Sequence, residues 1–266
     1  MIKCKISAAE TKNKSAQGEK MKKVVSIEDG VKTLFEKGDI PFVPFKYIRR
    51  GDGAYCDLIE INGESVPLYK WRYNVKVTGL KVNCDSQLGK LSTLRTSHFA
   101  GRDKTLKQIL FIELDVAEFT LGGKIVYIMG FGNERAANFI VKMDNGTICS
   151  LELAVTMPEG SKERIKRSVF STNGMTSTVS FDEMLDRDEV HLFSDGGEAH
   201  FTDIDVNLYG LTTDELDTAY AIFGLLRDLD DKKEWIMRES YLETLANDAV
   251  KTLKTHEKAV YGEDRK

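Results

Sequence analysis

Residues 138–156 read NFIVKMDNGTICSLELAVT, two apolar runs that meet at Asp144-Asn145-Gly146. An Asn-Gly pair between alternating hydrophobic residues accepts the positive φ values of a tight hairpin turn. On the return run Cys149, Leu151, Leu153 and Val155 share one face, while Ser150 and Glu152 take the other. That period of two predicts an antiparallel hairpin with one buried face. Downstream, SVFSTNGMTSTVSF (168–181) predicts a second hairpin around Asn173-Gly174. EVHLFS (189–194) and EAHFTDIDVNL (198–208) add two further strands. Upstream, KIVYIMGF (124–131) reads as a buried strand, and KLSTLRTSHF (90–99) alternates weakly as another. Between them, TLKQILFIELDVAEFTLGG changes period. Leu106, Ile109, Leu110, Leu114 and Ala117 fall on one helical stripe.

The ends are helical. Thr212 and Glu215 form a capping box for DELDTAYAIFGLLRDL, and an amphipathic helix from about Lys233 to His256 turns Tyr241, Leu242, Leu245, Ala249 and Leu253 inward. Near the start, Ser26 caps a short helix with Val31, Leu34 and Phe35 on its apolar stripe, stopped by Gly38. Pro41 and Pro44 confine IPFVPFKYI to a sheet edge, RRGDG is a turn, and DLIEING and ESVPLYKWRY are strands joined at Asn62-Gly63. On the second of these Tyr69, Trp71 and Tyr73 alternate, as a core face or as a carbohydrate-binding aromatic row. The sum is an α+β fold: a large, mostly antiparallel, open-faced β-sheet with helices packed on one face, preceded by a short helix and strand segment.

Composition narrows the function. Of 266 residues, 41% are apolar and 30% charged, and the net charge is −4, so neither nucleic acid nor an anionic membrane is an expected partner. Cys4, Cys56, Cys84 and Cys149 are scattered without a CxxC pair, which predicts neither structural zinc nor a disulfide framework. No apolar run reaches the roughly 20 residues of a spanning helix, and residues 1–20 carry no signal-peptide core. A cytoplasmic protein with a flexible polar arm over residues 1–22 is expected.

Chemistry-bearing motifs are sparse. No G-x-G-x-x-G stands between a strand and a helix. Gly130-Phe131-Gly132 follows a strand but opens onto another strand, so the chain is expected to bind no dinucleotide alone. His98 closes the first sheet strand, either lining the exposed sheet face or as a hydrogen-bonded surface residue. His191 and His200 flank the SDGGE turn, where Asp195 or Glu198 could complete a metal site, but a solvated turn is the expectation and no metal is assigned. His256 marks the end of the last helix, and the acidic run from Asp182 to Glu189 reads as a solvated connection.

Taken in order, RYNVKVTGLKVNCDSQLGKLSTLRTSHF (72–99), the helix ending in TLGG, and NFIVKMDNGTICSLELAVTMPEG (138–160) resemble the C-terminal substrate domain of the glucose-fructose oxidoreductase and inositol dehydrogenase family. The resemblance implies a domain over residues 72–266. Residues 23–71 would then be a worn remnant of a dinucleotide-binding domain, with an insertion over 49–71. Glu19-Lys20-Met21, followed by Ser26-Ile27-Glu28-Asp29, resembles the stretch in which the family's lysine contacts cofactor and substrate, which makes Lys20 a catalytic candidate. The family's helix carries an aspartate and a histidine four residues apart, with another aspartate three residues on. Anchored on Asp115, Gln108 takes the first aspartate position and Ile112 the histidine position; a slip of one residue puts Glu113 at the histidine position as a candidate base. Arg72, His98, Gln108 and Ile112 are the implied substrate contacts.

The function the resemblance implies is a non-catalytic sugar- or polyol-binding or assembly subunit. It would form a homo-oligomer, or a hetero-oligomer with a full-length relative, through its open sheet face. The alternative is an NAD(P)-dependent sugar or polyol oxidoreductase, acting on CH–OH groups, whose cofactor site a partner chain or a degenerate pocket completes. An in-frame glycine-rich unit upstream of Met1 would make the chain part of an ordinary dehydrogenase.

Overall fold

The computed structural model describes residues 26–51, 53–178, 189–202, 210–227 and 232–262. Lys20, the N-terminal arm and most of the 182–189 acidic run lie outside the described residues.

Helix α1 (Ile27–Lys37) starts where Ser26 accepts a hydrogen bond from the Asp29 amide and ends at Gly38. Three short strands follow, β1 (Lys46–Ile48), β2 (Asp57–Ile61) and β3 (Glu64–Leu68), paired antiparallel in the order β1-β2-β3. Asn62 and Gly63 both take positive φ, 53° and 79°, which lets two residues reverse the chain between Ile61 and Glu64.

Strand β3 stops at Leu68. The expected continuation of the strand through Tyr73 does not hold: Lys70–Tyr73 is a turn of 3-10 helix, so Tyr69, Trp71 and Tyr73 form no aromatic row. The cause lies in the partners. Tyr69 is fully buried and donates to the Trp235 carbonyl at 2.9 Å, while Trp71 and Arg72 swing to a buried carboxylate described below.

Helix α2 (Val75–Ser86) leads into β4 (Leu91–Gly101), and α3 (Leu106–Leu121) follows under a Thr105/Gln108 capping box, closing on Gly122 at φ 70°. Strands β5 (Ile125–Gly132), β6 (Ala136–Met143), β7 (Ile148–Met157), β8 (Arg164–Ser171), β9 (Gly174–Ser177), β10 (Glu189–Ser194) and β11 (Gly197–Thr202) follow. Helices α4 (Thr213–Arg227) and α5 (Lys232–Thr255) and the short β12 (Ala259–Val260) complete the chain. The large sheet has nine strands in the order β11-β10-β9-β8-β4-β7-β6-β5-β12. It is mixed rather than strictly antiparallel. Strands β4 and β7 run parallel, because the chain passes through α3 and the β5–β6 pair before β7 returns beside β4. All the other neighbours are antiparallel.

Register explains the core. Val141, Cys149, Leu94, Val169, Thr176 and Leu192 stand opposite one another across six strands, and all are buried. Helices α2, α3 and α5 pack on this inner face, α2 against β9 and β10, α3 against β4 and β7, and α5 against β5. Each large aliphatic or aromatic side chain so buried contributes about 1.5–3 kcal/mol. Among the described residues no helix packs on the opposite face of the sheet, where Phe99 and Phe131 remain 38% and 48% exposed.

Candidate functional site

Helix α3 is the centre of the molecule, and its burial is unusual in kind: Glu113, Asp115 and Glu118 are buried along with its apolar residues. A buried carboxylate is tolerated only when its charge is answered and its lone pairs are filled. Glu113 is answered from the sheet, whereas Asp115 and Glu118 share Arg238 of α5.

Glu113 faces the sheet. The Arg167 guanidinium on β8 forks onto it, Nε at 2.8 Å and Nη2 at 2.5 Å, and His98 Nδ1 lies 2.8 Å from the same carboxylate. Burial alone pushes the Glu113 pKa up, but Arg167 and His98 outweigh it and hold the group at about 2. His98 Nε2 in turn lies 2.9 Å from Glu163, whose other oxygen meets Lys104 at 2.6 Å. Burial disfavours the imidazolium, yet hydrogen bonds to the two carboxylates prevail and raise the His98 pKa. Glu163 is held at about 2 against its own burial, chiefly by His98. Both ring nitrogens of His98 therefore serve carboxylates, and a doubly donating imidazolium satisfies both. The result is a chain, Arg167–Glu113–His98–Glu163–Lys104, buried over its first three members and running out to the surface at Lys104, that ties β8, α3, β4 and the β7–β8 loop together.

Asp115 faces the other way. Arg72 forks onto it at 2.8 and 2.7 Å, the Trp71 indole donates at 2.8 Å, and Arg238 on α5 also pairs with it. These contacts lower the Asp115 pKa although burial opposes them, with Arg72 the strongest. Glu118 accepts from Tyr241 at 2.6 Å, from Arg238 at 3.0 Å and from the Ile125 amide at 2.9 Å.

The residues singled out in sequence are thus distributed as follows. His98 and Glu113 are brought together. The expectation that His98 lies at the surface or on the open sheet face is corrected: it shares the inner face of β4 with Leu94, Thr96 and Ala100 and is fully buried, because the alternation of β4 turns every second residue inward. Arg72 points to Asp115. Gln108 closes the α3 capping box and donates to the Ala54 carbonyl at 3.2 Å. Ile112 is half-buried and offers no titratable group. Ala54 and Tyr55 lie over this first half of α3: besides the Gln108 contact, Tyr55 stacks on Phe111 with ring centroids 4.5 Å apart and planes 12° from parallel. Arg50 pairs with Glu239 on α5 and contacts Cys56 Sγ at 3.1 Å.

Chemically, Glu113 at a pKa of about 2 is a feeble proton acceptor near neutrality, and both its oxygens are already engaged. His98 has no ring nitrogen left to accept a substrate proton. Sequence reading missed Arg167, Glu163, Arg238 and Tyr241. Arg167 carried a usable signal, since in RIKRSVFS it alternates with Ile165 and Val169 on what must be the inner face. Among the described residues no group of three or more His, Cys, Asp or Glu is gathered as a metal would require. His191 and His200 stand opposite each other on β10 and β11.

No family model and no curated protein matches the sequence. Solved structures do match the fold. An oxidoreductase domain protein from Kribbella flavida superposes with a TM-score of 0.59 at 12% identity, over 73% of this chain and 65% of that one. An oxidoreductase from Agrobacterium radiobacter, in complex with NAD+, L-tartaric acid and magnesium, gives 0.58 at 13% identity over 88% and 70%. A myo-inositol dehydrogenase from Corynebacterium glutamicum gives 0.54 at 13% identity over 73% and 63%. The chain therefore has the fold of inositol-dehydrogenase-type oxidoreductases, and it spans about two thirds of the length of the chains it matches. No helix among the described residues is long and apolar enough to cross a membrane.

Proposed function

We propose that this chain is a non-catalytic assembly or polyol-binding subunit with an oxidoreductase fold, associating through the open face of its large sheet. One observation carries the reading. The place on α3 where a proton-transfer pair is implied holds Gln108 and Ile112, and the adjacent Glu113 is consumed by Arg167 and His98. A face nine strands wide, at about 4.8 Å per strand, is broad enough for the roughly 800 Å² per partner of a stable interface. Its exposed Phe99 and Phe131 and half-buried Ile148, Phe170 and Tyr127 supply the apolar component.

The test is a mass measurement by sedimentation on the purified chain, alone and co-expressed with a full-length oxidoreductase of this fold. Self-association or a hetero-complex is expected. A clean monomer at micromolar concentration that ignores the relative sinks the proposal. NAD(H) and NADP(H) titrations followed through Trp71 and Trp235 should show no saturable quench; saturation would favour an enzyme whose cofactor site a partner completes.

A further inference from the structure

His98 joins two carboxylates that differ in their access to water. Its Nδ1 lies 2.8 Å from Glu113 and its Nε2 2.9 Å from Glu163, and the ring itself is fully buried. Behind Glu113 stands the buried Arg167 guanidinium. Behind Glu163 stands Lys104, at 2.6 Å and exposed. The residues opposite His98 on the neighbouring strands, Leu153 of β7 and Ile165 of β8, bring no charge. The charge on the ring is therefore set by Glu113 with Arg167 on one side, and by Glu163 with Lys104 on the other.

The two ends of this clamp respond differently to the loss of one proton. An imidazolium donates at both nitrogens, whereas a neutral ring donates at one and presents a lone pair at the other. The Glu113 side chain has none of its surface in water, that of Glu163 has 27%. A carboxylate left facing a lone pair inside the core has no substitute donor, and its desolvation goes uncompensated. Glu163 can turn outwards and take water in place of the ring. The proton is therefore kept on Nδ1, and the contact that breaks is the one to Glu163.

Glu163 closes the β7–β8 loop, residues 158–163, which lies against the turn between β4 and α3. Two further contacts hold the loop to that turn. The Gly160 amide donates to Asp103 at 3.2 Å, and Lys104 meets Glu163 in an exposed ion pair, a kind of contact that contributes little. The next residue, Arg164, stands opposite Phe99 at the border of the open sheet face.

We propose that His98 is a proton-operated latch on the β7–β8 loop. With both nitrogens protonated it clamps Glu163 and holds the loop closed; loss of the Nε2 proton to solvent frees Glu163 and opens it. Burial opposes the charged ring, but its bonds to the two carboxylates outweigh burial and raise the His98 pKa. The latch is thus closed across the range in which an exposed histidine titrates, and opens above it. It holds or fails whether or not the open face joins subunits.

The experiment follows the isotope-labelled full chain from about pH 6 to about pH 10, spanning the ordinary histidine value and the range above it. Magnetic resonance reads the two ring nitrogens of His98, and hydrogen exchange reads the amides of residues 159–163. Nε2 should lose its proton while Nδ1 keeps its own. Over the same interval loop exchange, corrected for intrinsic base catalysis, should rise by about tenfold to a hundredfold, the loss of one charge-assisted bond. The amides of Val155 and Val169, in the strands on either side, should not follow. Glu163→Gln removes a charge that favours the imidazolium, so the ring should titrate at lower pH and the loop should open with it. His98→Gln should leave loop exchange fast at every pH; should that variant not fold, the wild-type titration decides alone. The latch is overturned by a ring that gives up its Nδ1 proton first, or by loop exchange that stays flat while the ring titrates. A Glu163→Gln midpoint equal to that of the wild type overturns it as well.

Discussion

The two faces of the nine-stranded sheet are built from the same strands and differ in how completely their polar groups are answered. On the inner face, charged residues are few and saturated: Glu113 has Arg167 and His98, and His98 has Glu163. On the outer face one register line runs Phe193, Met175, Phe170, Thr93, Ile148, Lys142 and Tyr127 across seven strands. A neighbouring line carries Ser168, Arg95 and Ser150 and ends in the apolar Ile140 and Met129. Residues that look reactive by type sit where they lock helix to sheet. The face without a described helix carries little that looks reactive. A histidine and a glutamate in contact are evidence of catalysis only if one of them can still reach a substrate, and here both His98 nitrogens and both Glu113 oxygens are engaged inside the fold.

The sharpest way to break this contrast is to unpair Glu113. Arg167→Ala leaves a buried carboxylate with only His98 to answer it, and losing one partner of a buried pair costs about 3–5 kcal/mol. The thermal midpoint should fall by about 8–15 °C. Replacing the pair together, Glu113→Leu with Arg167→Met, should recover most of that loss, because apolar replacement of a buried pair is often neutral. A catalytic assignment would instead require the double variant to be stable and to lose a measurable oxidoreductase activity of the wild type.

Acidity sharpens the same point. The folded pKa of Glu113, about 2, lies below its unfolded value of about 4.3. Its stabilisation is therefore present above about pH 4.5 and lost as pH falls towards 2. Glu163, also held at about 2, acts in the same sense. His98 acts in the opposite one: its folded pKa is raised, so its contribution is complete below about pH 6.5 and lost as pH rises through the raised value. The network is worth most between about pH 4.5 and 6.5. Urea unfolding from about pH 6 down towards about pH 2 should give the wild type a steeper acid loss below about pH 4.5 than the Glu113→Leu/Arg167→Met variant. Parallel profiles would mean that Glu113 is not ionised inside the fold.

Much of this architecture was readable from residues alone, and the reasons are local. Asn62-Gly63, Asn145-Gly146 and Asn173-Gly174 mark hairpins because their turns depend on those residue types. Ser26, and Thr212 with Glu215, mark helix starts through their own side-chain bonds. What escaped depends on distant partners. The Lys70–Tyr73 turn is set by Asp115, more than forty positions away. The parallel β4–β7 pair joins residues about 55 apart. The fate of His98 hung on Glu113 and Glu163, which no local pattern connects to it. Candidate site residues were legible as residue types; whether their lone pairs were free was not.

A smaller effect is expected at Asp115, which has several partners. Arg72→Ala removes one fork, yet Arg238 and Trp71 remain on the carboxylate. The loss should be about 1–3 kcal/mol, that of a hydrogen bond to a charged group, and Arg72→Lys should restore only part of it because lysine lacks the fork. A change of under 0.5 kcal/mol for Arg72→Ala would mean that Arg72 is not spent on Asp115 and is free for a ligand. Chemical denaturation reads the difference directly.

The smallest effect on folding belongs to the outer face, and there its smallness is informative. Phe99 and Phe131 lie on β4 and β5 with a third or more of their surface in water. Phe99→Glu and Phe131→Glu should change stability by no more than about 0.5 kcal/mol, the usual range for surface substitutions. If this face joins subunits, each copy places the introduced carboxylates in a desolvated contact, where an unpaired charge is strongly disfavoured. The double variant should therefore sediment as a monomer at concentrations where the wild type associates, with an unchanged unfolding profile once concentration is accounted for. Loss of association without loss of fold isolates the open face as the working surface. Association that survives both charges, in a chain that still folds, moves the interface elsewhere and removes the contrast between the faces as an explanation of what the protein does.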